Sequence, residues 1–325
     1  MNEAQPPEFV GHPRTAALIQ RARAGPPLRT AVVYPCNADA LGAALAARAH
    51  GLVEPVLVGP GARLAGLARD AGTTLDGCRV IDSGEDPRRA ARAAAELART
   101  GEVSALMKGS LHTDELLGAV IRRSGGLRLP GKGRRLSHVF WFDVPAHPRP
   151  IMVTDCVVNI APSLIAKRDI VQNAFDLAHA LGYGCPKLAI VSATEAVNPA
   201  IPTTVEASAL RAMAERGEIT GGVVDGPFGF DIAVSPNATR IKGIVSAAAG
   251  TADILLMPNV EAGNMIYKSL VYMAGAVCAG VVLGATVPVI LTSRADSVAS
   301  RVASCALASI WCASRIAAGA EGGRA

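Results

Sequence analysis

Polar residues stand directly after four β-branched, apolar runs of the sequence. In three of these four places they include a Lys or an Arg. A glycine or serine loop at a helix N-terminus presents free backbone N–H groups to an anion, and an Arg can hold a phosphate through two parallel hydrogen bonds. The residues therefore predict a site for a small phosphorylated or otherwise anionic ligand. The candidates are Lys108, Gly109, Ser110, His112 and Thr113; Asp225, Gly226, Pro227 and Asp231; Asn259, Glu261, Gly263, Asn264 and Lys268; and Thr292, Ser293, Arg294 and Asp296.

Most of these residues also have a purely structural interpretation, and the sequence leaves both open. Ser and Asn are good helix caps, and Asp-Gly-Pro is a common turn. In the structural interpretation Lys108 is a solvated loop cation, Ser293 a helix N-cap and Asp225-Gly226-Pro227 a turn. Glu261 and Asn264 are helix caps, His112 is an interior histidine, and His138 and His179 have structural roles.

The elements that must position these residues alternate along the chain. Short β-branched runs predict strands at Thr30–Tyr34, Glu54–Val58, Arg79–Ile81, Val103–Met107, His138–Phe142, Lys187–Val191, Gly222–Val224, Ile254–Met257, Val281–Leu283 and Pro288–Leu291. Ala-rich amphipathic stretches predict helices between most of them, among them Asp86–Arg99, Asp114–Arg123, Ala166–Leu181, Val205–Arg216 and Ser297–Ile316. This alternation predicts a doubly wound α/β sheet, in which ligands bind beyond the carboxyl ends of the strands.

Composition narrows the class of protein. The chain has 325 residues, of which 50% are hydrophobic and 18% charged, so it can bury a large core and is not disordered. A formal net charge of +5 is mild for this length and does not indicate a nucleic-acid-binding protein. Seven cysteines without a CxxC pair, and an N-terminus without an apolar signal core, predict a cytoplasmic protein.

One uncharged run, residues 269–293, has the length of a membrane span. Gly275, Gly280, Gly284 and Pro288 interrupt it. We therefore interpret it as a helix end followed by two strands of a soluble protein, with no membrane partner.

The predicted domain boundary lies near residue 150, after the Pro-rich segment 145–150. The Gly-rich residues 124–135 precede it. A basic run without interleaved aromatic residues predicts either a solvated loop or a contact for a polyphosphate such as coenzyme A, before nucleic acid; it consists of Arg122, Arg123, Arg128, Lys132, Arg134 and Arg135. No Walker A lysine, GxSxG elbow, HExxH or EF-hand motif is present.

At the same strand ends the sequence resembles the phosphate acetyl/butyryl transferases, and the butyryl branch most closely. The matching stretches are LMKGSLHTDELL (106–117), SATEAVNPAIPTTVEASAL (192–210), GGVVDGPFGFDIAVS (221–235), ADILLMPNVEAGNMIYKSLVYMAGA (252–276) and VPVILTSRADS (287–297). The resemblance implies reversible transfer of a short acyl group, acetyl to butyryl, between coenzyme A and inorganic phosphate. Both are substrates, and no permanently bound cofactor or metal is implied.

The resemblance also implies a fold. It is the two-domain fold of isocitrate and isopropylmalate dehydrogenases, with doubly wound sheets, an interdomain cleft and usually a homodimer. Residues 1–148 plus 287–325 would form the first domain and 149–286 the second.

Roles for individual residues follow from the resemblance alone. It places phosphate and acyl-phosphate binding on Ser293 and Arg294, and it implicates Asp225-Gly226-Pro227 and the motif containing Glu261, Asn264, Tyr267 and Lys268 in shaping the cleft. The chain departs from the acetyl branch of the family in two places. That branch has an Arg in the helix after the His-Thr motif, where this chain has Leu117 and Gly118, and a catalytic Asp seven residues after the Ser, where this chain has Ser300. Asp296 is the remaining nearby acid and becomes the predicted base.

Two other functions stay open from the sequence. A metal- and NAD-dependent dehydrogenase of the same fold would need a carboxylate cluster, for which Asp225 and Asp231 are the available residues. A non-catalytic member of the family would bind coenzyme A or an acyl phosphate without turnover.

Overall fold

The computed structural model describes residues 9–130, 133–293 and 295–322. They form an α/β fold in which helices alternate with mostly parallel strands, as the sequence predicts. The residues group into two compact units, one up to Arg134 together with the chain from Cys278 onward, the other from Arg135 to Val277.

The first unit carries a mainly parallel set of strands. Its elements are α1 (Pro13–Ala22), β1 (Leu28–Val33), α2 (Ala38–Ala49), β2 (Val53–Gly59), α3 (Gly61–Asp70), β3 (Arg79–Asp82), α4 (Pro87–Arg99), β4 (Ala105–Lys108), α5 (Thr113–Val120), β10 (Val277–Leu283), β11 (Val289–Ile290) and α11 (Val298–Gly322). The strands are ordered β3-β2-β1-β4-β11-β10, and only β10 and β11 pair antiparallel.

Helix α4 shows how the Ala-rich segments form the core of this unit. Asp86 caps it by accepting the Arg88 N–H at 2.9 Å, and Pro87 occupies the first turn, where its missing N–H costs nothing. Ala90, Ala91, Ala94 and Ala95 lie on one buried stripe, while the arginines lie on the exposed face. Small side chains let the helix lie close to its neighbours.

The second unit is built in the same way. Its elements are β5 (Ser137–Asp143), β6 (Ile151–Thr154), α6 (Leu164–Ala180), β7 (Lys187–Val191), α7 (Pro202–Glu215), β8 (Val223–Phe228), α8 (Phe230–Val234), α9 (Pro236–Ile241), β9 (Ile254–Leu256) and α10 (Val260–Tyr272). The strand order is β5-β6-β9-β7-β8, with β5 and β6 antiparallel and the other pairs parallel.

Two elements differ from the sequence-based prediction. Strand β6 was not predicted, because the prolines of residues 145–150 indicated a domain linker; these residues instead connect two antiparallel strands inside the second unit. The prediction that a strand ends at Val224 is also wrong, since β8 continues to Phe228 and contains Asp225, Gly226 and Pro227. β8 ends the strand order, so the N–H that Pro227 lacks is not needed for a second neighbour.

The uncharged run 269–293 forms the end of α10, then β10 and β11, as predicted. No helix within the described ranges has the length and apolarity to cross a membrane. The units divide at 134/135 and 277/278, whereas the predicted domain boundaries are 148/149 and 286/287; the domain ranges stay a prediction.

Candidate active site

Two of the predicted sets of polar residues meet at one sheet edge in the first unit. β4 and β11 are parallel neighbours, with Met107 opposite Ile290. Lys108, the last residue of β4, therefore lies beside Leu291, and Ser293 follows two residues later. This edge is the carboxyl end of the strands, where ligands bind in open α/β sheets.

The loop after β4 is held against the end of β1. The N–H groups of Gly109 and Ser110 donate to the carbonyl oxygens of Val33 and Tyr34, both at 2.9 Å, and the Ser110 hydroxyl donates to the Tyr34 carbonyl at 2.8 Å. Lys108 is only 8% exposed, and its Nζ lies 3.5 Å from the Gly109 carbonyl oxygen. The alternative of a solvated loop cation is therefore wrong for Lys108.

Gly109 supplies a first prediction, because a Cβ there would lie 2.3 Å from the Val33 carbonyl oxygen. Gly109→Ala is expected to lower the free energy of unfolding by about 1–3 kcal/mol, measured by urea unfolding, since the backbone has to move apart. Gly118→Ala is the matched control: a Cβ there meets nothing within 4 Å, so the helix is expected to gain about 0.5–1 kcal/mol. Equal effects of the two changes would contradict the close packing of this loop.

Helix α5 begins directly after this loop, and His112 is its N-cap residue. The His112 N–H donates to Oε2 of Glu115 at 2.9 Å, so the protein's own carboxylate occupies this donor at the helix start. His112 is exposed and Thr113 half-buried, so the alternative of an interior histidine is wrong for His112.

The residues after β11 form a tight turn around the Asp296 carboxylate. The Ser293 N–H donates to Asp296 Oδ2 at 2.6 Å, and the Asp296 N–H donates back to the Ser293 carbonyl at 3.2 Å. Asp296 is 8% exposed and Ser293 is half-buried. Helix α11 starts at Val298 and is capped by Ser297, whose hydroxyl accepts the Ser300 N–H at 3.1 Å, so Ser293 is not the cap. Arg294 lies outside the described residues.

Ser300, the position of the acetyl branch's catalytic Asp, faces the interior. It is 3% exposed, and its hydroxyl accepts the Cys278 N–H at 3.3 Å. Burial, together with the nearby Asp296 charge, raises the pKa of the Cys278 thiol, which therefore stays protonated. Ser300 thus secures α11 to β10 and offers no base.

In the second unit the structure shows a loop that the sequence analysis missed. Asp155 follows β6 and is 2% exposed, and its carboxylate accepts the N–H groups of Val157 and Val158 at 2.9 and 3.0 Å. It also accepts the side-chain amide of Asn159 at 2.6 Å. The signal was present in the sequence, because polar residues follow an apolar run at 151–154, but the strand itself was not recognised.

Helix α10 packs its first turns onto this loop. Asn259 caps it by accepting the Ala262 N–H at 2.9 Å. A Cβ on Gly263 would lie 2.4 Å from the Asp155 carbonyl oxygen, and Asn264 Nδ2 donates to the Cys156 carbonyl at 3.4 Å. The helix cap is therefore Asn259, not Glu261 or Asn264.

The remaining predicted residues of α10 separate into core and surface. Tyr267 is buried and stacks on Phe140 with 4.3 Å between ring centroids. Glu261 and Lys268 are exposed. An exposed ammonium group is screened by water, so Lys268 offers a weaker field than buried Lys108 does.

Asp225 is held by neighbours within the second unit. Its carboxylate accepts the Ser246 hydroxyl at 2.6 Å and the Gly226 N–H at 2.8 Å, and it lies 3.6 Å from Arg211. Gly226 has φ +142°, and a Cβ there would lie 2.7 Å from the Ile190 carbonyl oxygen, so this strand position requires glycine.

Asp231, a candidate from the sequence, belongs to an ion cluster at the same end of the second unit. Its other members, Glu195 and Lys242, were not indicated by the sequence. Lys242 Nζ lies 3.2 Å from Glu195 and 3.1 Å from Asp231. The hydrogen bonds of Lys242 lower the pKa of Asp231, and those two carboxylates raise the pKa of Lys242. The cluster joins the loop after β7 to α8 and to the end of α9. Glu195 lies 36 residues before Asp231 and 47 before Lys242 in the sequence, so no local motif indicates the cluster.

No group of three or more His, Cys, Asp or Glu side chains in the described part of the chain is placed to hold a metal ion. The first unit is thus an α/β unit that presents a buried cation and an Asp-centred turn at the carboxyl edge of its strands. This arrangement suits an anionic, phosphate-bearing ligand.

More than half of the chain matches the model of one protein family. The phosphate acetyl/butaryl transferase family model matches residues 87–309, and the chain belongs to that family. It is an acyltransferase, as the sequence predicts.

Two curated relatives match nearly the whole chain. The phosphate acetyltransferase of Rhizobium meliloti is 50% identical over 301 residues, which cover 93% of this chain and 94% of the relative. The phosphate butyryltransferase of Clostridium acetobutylicum is 36% identical over 90% of this chain and 96% of its own. The relatives include both acetyltransferases and butyryltransferases, so the similarity shows the family and does not decide the length of the acyl group that is transferred.

Solved structures share the fold. The branched-chain phosphotransacylase from Enterococcus faecalis V583 superposes with a TM-score of 0.74 at 30% identity, over 88% of this chain and 99% of its own. A 4-hydroxythreonine-4-phosphate dehydrogenase from Klebsiella pneumoniae superposes with a TM-score of 0.54 at 15% identity, over 88% and 99%, which shows the fold alone.

Proposed function

We propose that the protein transfers a short acyl group reversibly between coenzyme A and inorganic phosphate, with an acyl phosphate as the other product. The observation that carries this proposal is the meeting of Lys108 and the Ser293–Asp296 turn at one carboxyl edge, inside the region that the family model matches. The extensive similarity to phosphate acetyltransferase and phosphate butyryltransferase supports it.

The proposed reaction begins with a proton transfer. In the acyl-phosphate direction Asp296 takes the proton of the coenzyme A thiol, because a free thiol with a pKa near ~8.5 is only a few per cent ionised at pH 7. The sulfur attacks the acyl carbonyl carbon, and the C–S bond forms. The C–O bond to phosphate breaks, its electron pair leaves on the phosphate oxygen, and the proton passes from Asp296 to the phosphate.

Three further residues of the first unit stabilise the charges that develop on the sulfur and on the phosphate. Ser293 donates a hydrogen bond to the sulfur. Lys108 and Arg294 neutralise the departing phosphate, and preorganised donors of this kind are usually the largest catalytic contribution. Arg294 is assigned on the resemblance alone.

The proposal includes the wider architecture that the family resemblance implies. The two-domain fold of isocitrate and isopropylmalate dehydrogenases would place the site in an interdomain cleft, with Asp225, Glu261, Asn264 and Lys268 on its second side. The enzyme would act in the cytoplasm as a homodimer and without a bound metal or cofactor. Exclusion of water from the cleft would protect the acyl phosphate from hydrolysis.

The test measures release of free thiol from acetyl-, propionyl- and butyryl-coenzyme A, with and without inorganic phosphate. Phosphate-dependent release is the expected result, and the substrate with the highest kcat/KM identifies the acyl preference. No release from any of the three by folded protein would contradict the proposal. Binding of coenzyme A in that experiment would then favour the non-catalytic member of the family.

A further inference from the structure

Strand β1 ends in a strained backbone conformation where it meets the loop that follows Lys108. Tyr34 has φ +53°, and in the part of the chain that the structure describes it is the one residue other than glycine with a positive φ. A bulky side chain disfavours this conformation, which persists only where the surrounding contacts enforce it, and such residues cluster at functional sites. The contacts of Tyr34 therefore identify what holds this turn in place.

Ser110 supplies the contacts on the side of β4. Its N–H and its hydroxyl both donate to the Tyr34 carbonyl oxygen, at 2.9 and 2.8 Å, and the hydroxyl oxygen accepts the Cys36 N–H at 3.2 Å. A serine hydroxyl has a single proton to donate, and the main chain of the turn takes it. The hydroxyl thus joins the residues on both sides of Pro35.

Arg63 and the loop after β3 fix the other side of the turn. Nη2 of Arg63 donates to the Cys36 carbonyl oxygen at 3.1 Å, and the Tyr34 hydroxyl donates to the Glu85 carbonyl oxygen at 3.0 Å. Arg63 also lies 3.6 Å from the Glu85 carboxylate. Because the strained turn is held from both sides, losing the contacts of one side lets its backbone relax.

The peptide between Gly109 and Ser110 connects this turn to Lys108. Its N–H donates to Tyr34, and the N–H and C=O of a trans peptide point in opposite directions, so the Gly109 carbonyl oxygen points away from Tyr34. Nζ of Lys108 lies 3.5 Å from that carbonyl oxygen. The position of the Tyr34 carbonyl therefore determines the direction of the group that the Lys108 ammonium contacts.

We propose that Ser110 is a positioning residue, whose hydroxyl holds the strained turn at Tyr34 and through it sets the place of the Lys108 ammonium group. This inference rests on the proposed function, in which Lys108 neutralises the departing phosphate. Ser110 acts through Lys108 and contacts neither substrate. Its contribution is to the rate, because a group at a reacting centre that is displaced by about 1 Å can cost about 10²-fold.

The test is a double-mutant cycle measured with acetyl phosphate and coenzyme A. Ser110→Ala is expected to lower kcat by about ten- to a hundredfold, with the KM for coenzyme A unchanged. In the Lys108→Met background the same change is expected to cost less than about twofold, since a residue that acts through another has no independent effect once that other is removed. A hydroxyl that bound a substrate directly would instead raise KM, and its effect would multiply with that of Lys108→Met.

Two further variants separate the role of the hydroxyl from a general loss of packing. Ser110→Thr keeps the donor and the acceptor and is expected to keep most of the wild-type kcat. Ser304→Ala removes a buried hydroxyl with the same pattern of bonds elsewhere in the first unit, where it accepts the Gly280 N–H at 2.8 Å and donates to the Ser300 carbonyl oxygen at 2.7 Å. This control is expected to lower stability and to leave kcat close to wild type.

Failures of the two proposals are distinguishable. With an active wild type, losses that multiply in the cycle, wild-type kcat in Ser110→Ala, or a Ser110→Thr enzyme as slow as Ser110→Ala would overturn the positioning role and leave the transferase intact. Wild-type kcat in Lys108→Met would contradict the assignment of Lys108 and, with it, that of Ser110. Absence of turnover by the folded wild type would contradict the proposed function itself.

Discussion

Replacement of Lys108 by methionine is expected to lower kcat by about 10²–10³-fold in either direction of the reaction, which is the usual loss when one preorganised donor is removed from a reacting centre. Lys108 is 8% exposed and ends the strand beside Leu291, so its ammonium group acts in surroundings that water screens poorly. Methionine has a similar length and flexibility and fills the space, so the change removes the charge and little else. Steady-state kinetics with acetyl phosphate and coenzyme A measure the effect.

Lys268→Met is the comparison for this experiment, because the sequence makes both cations candidates for the site. Lys268 is exposed on α10, so its charge is screened by solvent. We expect the loss in kcat to be less than about tenfold, in line with the small contribution of exposed charges. A larger loss in Lys268→Met than in Lys108→Met would overturn the assignment of Lys108 to the departing phosphate.

The alternation of elements and most strand positions could be predicted from the sequence, because both depend on local patterning. Ala at i, i+1, i+4 and i+5 of α4, and β-branched runs such as Leu28–Val33, indicate their structure within a few residues. Strand β6 could not be predicted from local patterning. It has only three apolar residues and a threonine after a proline-rich segment, and pairing with β5 and β9 makes it a strand.

The chemistry of individual side chains was less predictable, since it depends on contacts that are distant in sequence. Nothing near Lys108 in the sequence indicates that Gly109 and Ser110 are bound to the end of β1, more than seventy residues earlier, which buries that lysine. The same holds for Lys242, which joins Glu195 and Asp231. Polar residues at strand ends indicate a site, and only the fold decides which of them are buried, exposed or already hydrogen-bonded.

Asp296→Asn is expected to lower kcat by about 10²–10⁴-fold, the range that general-base catalysis contributes. The Asp296 carboxylate accepts the Ser293 N–H at 2.6 Å, and an asparagine carbonyl can accept the same hydrogen bond. The turn therefore keeps its shape while the proton acceptor is lost, and thermal stability should change little. A pH profile of kcat/KM separates the role of Asp296 as a base from its role as a hydrogen-bond acceptor in the turn: if Asp296 is the base, any fall in rate that wild type shows at low pH should be absent in the variant.

Ser300→Ala is the control, since Ser300 occupies the sequence position at which the acetyl branch of the family has its catalytic Asp. Loss of its hydrogen bond from the Cys278 N–H is expected to cost about 1–3 kcal/mol of stability by leaving a buried donor unpaired, with kcat close to wild type. If Ser300→Ala lost as much kcat as Asp296→Asn, the placement of α11 would control the rate and Asp296 would not be the base. Wild-type kcat and an unchanged pH profile in Asp296→Asn would exclude Asp296 directly, and the thiol proton would then have to leave to water or to the phosphate itself.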